Sequence, residues 1–246
     1  MNKRILSVLS LVAICFITLH SCKKKDNTPT DPTRNYFPIV LGKYVTYNVD
    51  SIYYYQNTCS QYEVKSQMKY VITDTFTDRN NFTNQLTYIM DVYRRPYDGG
   101  FWTPVRVILV NPTTNSINYT QDNVKYVKLM FPIVQNFSWK GNVNAPVNDS
   151  DFAYLKNWNY LYQNVHMSYN TEYLNFDNTV TVMEDNESVN YPAVDSGVAA
   201  YRTFAKEVYA YNVGMIYKEW THWTYLANNK QCVNGYTVVM KAIDHN

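Results

Sequence analysis

The sequence predicts a mostly β protein: a single antiparallel, strongly curved or barrel-like sheet with at most two short helices, a two-sheet sandwich being the alternative. Three observations predict it. Segments in which apolar and polar residues alternate recur along the chain, the pattern of strands that bury one face. Tyrosine occurs 25 times and glycine only 7, so strand formers dominate and the turns must rest on Asn, Asp and Pro. No repeat of solenoid or propeller length is present, and a sheet with so many strands must curl, close or split to protect its edges.

The first element stands outside that sheet. Lys3 and Arg4 precede an apolar run, Ile5 to Leu19, broken only by Ser7, Ser10 and Thr18. Its length suits a signal-peptide core and falls short of the roughly 20 residues of a membrane helix. It ends in Leu19-His20-Ser21-Cys22. This ending resembles the lipobox of bacterial lipoproteins, whose cysteine thiol takes a diacylglycerol and becomes the new N-terminus. Leu19, Ser21 and Cys22 match the pattern and His20 departs from it. The resemblance implies a signal peptide over residues 1–21, lipidation of Cys22 and attachment to a membrane through that lipid. Lys23-Lys24-Lys25 speaks against a simple cleavage site. Residues 22–35, polar and containing Pro29 and Pro32, read as a flexible tether. Residues 36–246 read as one β-rich domain.

Charge excludes a nucleic-acid partner. The chain has 22 Lys+Arg and 20 Asp+Glu. Setting aside Lys3, Arg4 and Lys23 to Lys25 leaves 17 basic against 20 acidic residues, with no basic stripe for phosphates. Of the four cysteines, Cys15 lies in the signal and Cys22 in the lipobox. Cys59 and Cys232 remain, and in an oxidising compartment they are expected to form one disulfide.

Within the domain, alternation predicts strands at Tyr44 to Val49, Glu63 to Thr75, Gln85 to Tyr93, Val105 to Val110 and Val124 to Met130. Tyr97-Asp98-Gly99-Gly100 reads as a hairpin connection, and Asn111-Pro112 ends a strand. Asp151 to Tyr162 fits a short helix capped by Asp151, with Phe152, Leu155 and Trp158 on one face, or equally a strand in which Tyr160 and Tyr162 alternate. Thr179 to Met183 is strand-like. Ala199 to Tyr209 has helical spacing, but a strand over Arg202 to Ala210 is preferred. Met215 to Leu226 and Tyr236 to Ile243 form a closing hairpin.

Phe37-Pro38-Ile39 to Gly42 with the aromatic strand after it, and Tyr209 to Tyr217 closing with Gly235-Tyr236, resemble uncharacterised Bacteroidetes-type lipoproteins. That resemblance implies architecture and address, not chemistry. With Lys23 rather than Asp after the cysteine, it implies the outer membrane of the cell envelope. Asp26 alone follows closely, which leaves the periplasmic or surface face undetermined.

Chemistry is thinly signalled. No HExxH, CxxC, GxSxG or phosphate loop occurs; no catalytic residue, metal ligand or cofactor is expected, and the protein reads as a non-enzymatic binding or interaction module. His166, His222 and His245 are widely spaced, with His222 a partly exposed strand residue on the face opposite Thr221 and Trp223. Glu207, Glu219 and Asp244 are carboxylates that no spacing brings together. Asp149-Ser150-Asp151 and Glu184-Asp185-Asn186-Glu187 are oxygen-rich but lack calcium-loop spacing and read as exposed turns. The aromatic surplus is the one binding signal. Tyr54, within the triple Tyr53-Tyr54-Tyr55, and Trp102, Trp220 and Trp223 are candidate platforms for a glycan or peptide, against the reading that such rings form the core. A lipid or other apolar ligand held in a concave sheet is the alternative. Asp50-Ser51-Ile52 matches a short O-glycosylation pattern found in proteins of this kind.

Overall fold

The computed structural model describes residues 31–77, 86–150, 152–190, 197–227 and 232–246; the signal and Cys22 lie outside them. Twelve strands form one sheet: β1 (Tyr44–Tyr55), β2 (Ser60–Thr77), β3 (Leu86–Pro96), β4 (Thr103–Pro112), β5 (Ser116–Gln121), β6 (Val124–Met130), β7 (Ser138–Trp139), β8 (Tyr160–Asn170), β9 (Asn175–Val189), β10 (Ala200–Ala210), β11 (Gly214–Tyr225) and β12 (Val233–His245). Among the described residues the helical content is two 3-10 turns, Pro32–Tyr36 and Ala153–Leu155. The curved, barrel-like reading holds, and the sandwich does not.

Strand order is β6-β5-β4-β3-β2-β1-β12-β11-β10-β9-β8-β7. Apart from β6 and β7, each strand pairs with its sequence neighbours, and the first and last strands pair with each other at the centre. The sheet's two edges, β6 and β7, are joined by the short segment between them, so they meet at a seam. Val127 N donates to Gly141 O at 2.7 Å, and Trp139 Nε1 donates to Val127 O at 2.8 Å. Tyr162 Oη accepts from Met130 N and donates to Met130 O, both at 2.8 Å. A tyrosine hydroxyl and an indole thus take the place of ladder bonds, and the edges that a sheet must protect are covered by each other.

Alternation decides what faces inward. Val45, Tyr47 and Val49 of β1, Val180 and Val182 of β9, and Tyr160 and Tyr162 of β8 are buried, with the polar residues between them turned out or covered. One end of the barrel is closed by the chain's lead-in. Tyr36, fully buried, and Phe37 pack there, Phe37 against Tyr119 and Tyr209. Residues 31–35, expected as tether, already belong to this body: Arg34 donates to Thr113 O, and Asn212 N donates to Asn35 O. The opposite end is part-covered by the segment between β7 and β8, whose Leu155 and Trp158 are buried. Asp151 to Tyr162 therefore realises both readings, with one 3-10 turn and then the start of β8; Asp151 itself is outside the described residues.

Where glycine is scarce, asparagine takes left-handed backbone. Asn123, Asn136, Asn164, Asn190 and Asn212 all have positive φ, and Asp122-Asn123, at φ 51° and 62°, make the two-residue turn between β5 and β6. Cys59 and Cys232 are bonded, with Cα atoms 4.9 Å apart, which ties the β1–β2 turn to the start of β12.

Candidate functional site

The charges buried in the barrel form one cluster. Lys128 Nζ lies 2.5 Å from Glu184 Oε1 and 2.8 Å from Glu207 Oε1, and Lys218 Nζ lies 3.1 Å from the same Glu207 oxygen. Tyr209 Oη donates to Glu207 Oε2 at 2.6 Å. Local backbone places two of these residues. The β5–β6 register skips Lys128, passing from Ile117↔Leu129 to Asn118↔Val127. The β9–β10 register skips Glu184, passing from Lys206↔Met183 to Ala205↔Asp185. Both ions are the extra residue of a β-bulge, a device that re-aims a side chain at a chosen point of a strand.

Burial opposes ionisation throughout, and the partners decide the outcome. For Lys128, the Glu184 and Glu207 carboxylates overcome burial and hold the ammonium well above its usual range. For Glu207, Lys128 and Lys218 overcome burial and hold the carboxyl down at about 2. Glu184 goes the other way: burial, then the Glu207 charge, raises its pKa against the pull of Lys128. The three carboxylates that the sequence singled out stay apart, Glu219 and Asp244 being held elsewhere by Tyr217 and Tyr44, yet Glu207 does meet another. Its companion is Glu184, drawn in by a shared lysine and not by sequence spacing.

Beside the cluster lies a cavity of about 60 Å³ lined by Lys128, Glu207, Lys218, Tyr126, Tyr160 and Trp220, with Tyr70, Tyr119 and Gln121. A second, of about 40 Å³, lies under the lead-in next to Phe37 and Tyr47. The larger holds a few waters; a cavity that accepts benzene is about 150 Å³. Part of the inner cavity's lining reaches solvent. There Lys218 is 23% exposed, and the Trp220 ring is half-buried with an Nε1–H that meets no protein acceptor. We refer to this region as the cup.

Of the four aromatic candidates, Trp220 alone lines the cup. Trp223, an odd number of residues further along β11, turns to the opposite face. Trp102 sits under the Arg95 guanidinium, 4.3 Å from its ring centre, and Tyr54 is half-buried on the face opposite Tyr53 and Tyr55. These four do not form one platform. A different set does come together: Tyr62 stacks on Tyr53 at 5.1 Å and on Tyr55 at 5.5 Å. That grouping was hidden in the sequence because Tyr62 is on the next strand, paired with Tyr53.

The other candidates disperse. His222 stacks on Tyr154 at 4.1 Å and shares a 3.3 Å hydrogen bond with Thr203 Oγ1; burial lowers its pKa. His166 Nδ1 meets Tyr36 Oη and Asn178 Oδ1, and the His245 ring packs near Phe176. Glu219 accepts from Tyr217 Oη and Asp244 from Tyr44 Oη. In Glu184-Asp185-Asn186-Glu187 only Glu184 enters the cluster. Asn186 accepts from Arg202 and Glu187 from Tyr201 Oη, so these oxygens do not converge. Among the described residues no group of three His, Cys, Asp or Glu side chains is placed to hold a metal ion. Ser51 is 8% exposed on the inner face, out of reach of a glycosylating enzyme once the barrel has formed.

No family model matches the chain, and no curated protein sequence matches it. Two solved structures align with it. One, at 2.70 Å, is a protein of Parabacteroides distasonis ATCC 8503 provisionally described as a lipoprotein. It is 16% identical, with a TM-score of 0.37 over 84% of this chain and 98% of that one. The other, at 2.22 Å, is a protein of Bacteroides fragilis NCTC 9343 provisionally described as exported, with a YmcC-like fold. It is 12% identical, with a TM-score of 0.28 over 85% of this chain and 98% of that one.

Proposed function

We propose that this chain is a lipid-anchored protein of the bacterial cell envelope, attached to the outer membrane through Cys22, and that its barrel is a non-enzymatic module that binds a glycan. One observation carries the binding reading: the cup sets an aromatic wall, Trp220 and Tyr126, beside an ordered floor of ammonium and hydroxyl groups. Sugars are held by that combination, ring faces against C–H surfaces and charged or hydroxyl groups against their oxygens.

One feature favours this reading over a catalytic one. Glu207 has both oxygens engaged, one by two ammonium groups and the other by Tyr209, and the ammonium groups hold it ionised, which makes it a poor proton acceptor.

The test has two arms. Replacing Cys22 with serine is expected to abolish labelling by radioactive palmitate and release a folded soluble protein; unchanged labelling and retained membrane association count against the anchor. On a glycan array, the wild type is expected to bind at least one neutral oligosaccharide series, and Trp220→Ala to weaken that binding about tenfold or more. A blank array for the wild type rules out the glycan.

A further inference from the structure

We propose that the tip of the β3–β4 hairpin is a membrane-contact site, where Phe101 enters the headgroup region of an anionic phospholipid surface and the neighbouring arginines meet its phosphates. The inference stands apart from both the Cys22 anchor and the glycan, because it concerns a surface of the folded body alone.

The tip holds an apolar side chain out in water. β3 and β4 are paired as far as Arg94↔Thr103. Beyond that pair the chain turns over Pro96 to Gly99, where Gly99 N donates to Pro96 O at 3.2 Å. Gly99 and Gly100 then take φ of 110° and 112°, backbone that glycine alone adopts freely. The next residue, Phe101, is 96% exposed, the most exposed large apolar side chain among the described residues. It is not isolated. Val105 and Val107 follow along β4 at 50% and 53% exposure, on a stretch that has β3 on one side only, because β5 pairs from Leu109 onward. Tyr97 in the turn and Tyr173, between β8 and β9, are both exposed and meet through their hydroxyls. The tip is also held in place. Arg95 Nε donates to Gln67 Oε1 at 2.7 Å while its guanidinium covers the Trp102 ring, so little ordering cost is left to binding.

Charge selects the occupant. From Tyr93 to Val107 the chain carries Arg94, Arg95 and Arg106 against a single acid, Asp98. Arg106 is shared with Asp122 at 3.4 Å, and Arg94 is exposed. The rest of the body has more acidic than basic residues, so an anionic surface is drawn to this tip and not to its surroundings. Aromatic rings with cations beside them are the composition that settles at a membrane interface, the rings at the boundary and the guanidinium groups on phosphate. Shape makes the same choice. Phe101 stands on a convex turn, for which a protein partner would need a matching pocket, whereas a bilayer admits the ring at any point. A neutral glycan would gain nothing from the arginines.

The test is vesicle flotation of the compact unit Asp31–Asn246. That unit carries the whole described fold and lacks the signal, Cys22 and Lys23 to Lys25, so neither a lipid nor the lysine run can act. It is expected to float with vesicles of phosphatidylethanolamine and phosphatidylglycerol. Binding should fall about tenfold on phosphatidylcholine vesicles or in about 0.5 M salt. Phe101→Ser should weaken binding about tenfold, and Phe101→Trp should keep it and shift tryptophan emission to the blue on the vesicle. Both substitutions lie on an exposed turn, and unchanged thermal melts check that the barrel is intact. Binding that Phe101→Ser leaves unchanged overturns the tip as the contact, and equal binding to both kinds of vesicle overturns the anionic surface. A wild type that never floats overturns the membrane contact but not the anchor, which palmitate labelling reads separately. A wild type that ignores vesicles and forms a dimer that Phe101→Ser dissociates overturns the lipid surface in favour of a second copy of this chain.

Discussion

At Asp185 the bulge next to Glu184 leaves a half-buried carboxyl whose Oδ2 meets no protein donor. Burial first, and Glu187 second, lift its pKa from 3.8 to about 6. A carboxyl with a raised folded pKa holds its proton more tightly in the native state than in the unfolded chain. Its contribution is therefore fully present below pH 3.8 and lost as pH rises through about 6. Asp185→Asn is expected to melt higher than wild type at pH 8, with the difference closing toward pH 4. A difference that stays constant across that range refutes the assignment. Little of this was legible in the sequence, where Glu184-Asp185-Asn186-Glu187 reads as an exposed turn. An acidic run looks solvated whichever of its members a bulge turns inward, and a bulge leaves no composition signature.

Among the elements, strands were legible where apolar and polar residues alternate over a long run, as in β1, even though there the polar Thr46 and Asn48 are buried as well. Reading Arg202 to Ala210 as a strand was correct within two residues of β10 (Ala200–Ala210). β5 escaped notice: its six residues have only Ile117 and Tyr119 as apolar positions, too short a run for alternation to stand out. The β11–β12 pairing depends on one glycine. Gly235 has φ +139°, and a Cβ there would stand 2.6 Å from Trp223 Cα, closer than side chains tolerate. Gly235→Ala is expected to cost about 2–4 kcal/mol through backbone strain and overlap, read as a lowered Tm. A melt within a degree of wild type would show that the strands separate without cost.

The molecule as a whole is two meanders, β1 to β6 and β7 to β12, joined side by side at β1–β12 and meeting again at the seam. Lys128 belongs to the first, and Glu184 and Glu207 to the second, so the ion cluster reinforces the seam from inside. Taking one partner out of a buried ionic group leaves uncompensated charge, at about 3–5 kcal/mol. Lys128→Met is expected to destabilise by that amount in denaturant unfolding, and adding Glu184→Gln should restore part of it. A loss under about 1 kcal/mol would mean that water already screens the cluster. Of this cluster the sequence showed the residues but not their meeting, since a lysine in β6 and glutamates some 56 and 79 positions later become neighbours only when the sheet closes. Trp220, by contrast, was one of four aromatic candidates weighed against the reading that such rings form the core, and it is the one of the four that lines the inner cavity.

The central pairing of β1 with β12 has a consequence in time. A chain emerging N-terminus first presents β1 long before its partner exists, and until the last strand arrives each meander has an open edge on the side that β1–β12 will fill. Neither half can be sealed early, because loop closure across so long a separation comes late. Premature release would leave two sticky half-sheets, each a template for pairing with other chains. The final residues, hydrogen-bonded through Asn246 to Gly42 and Tyr44, act as the keystone, and the protein's vulnerable period lasts until they are delivered.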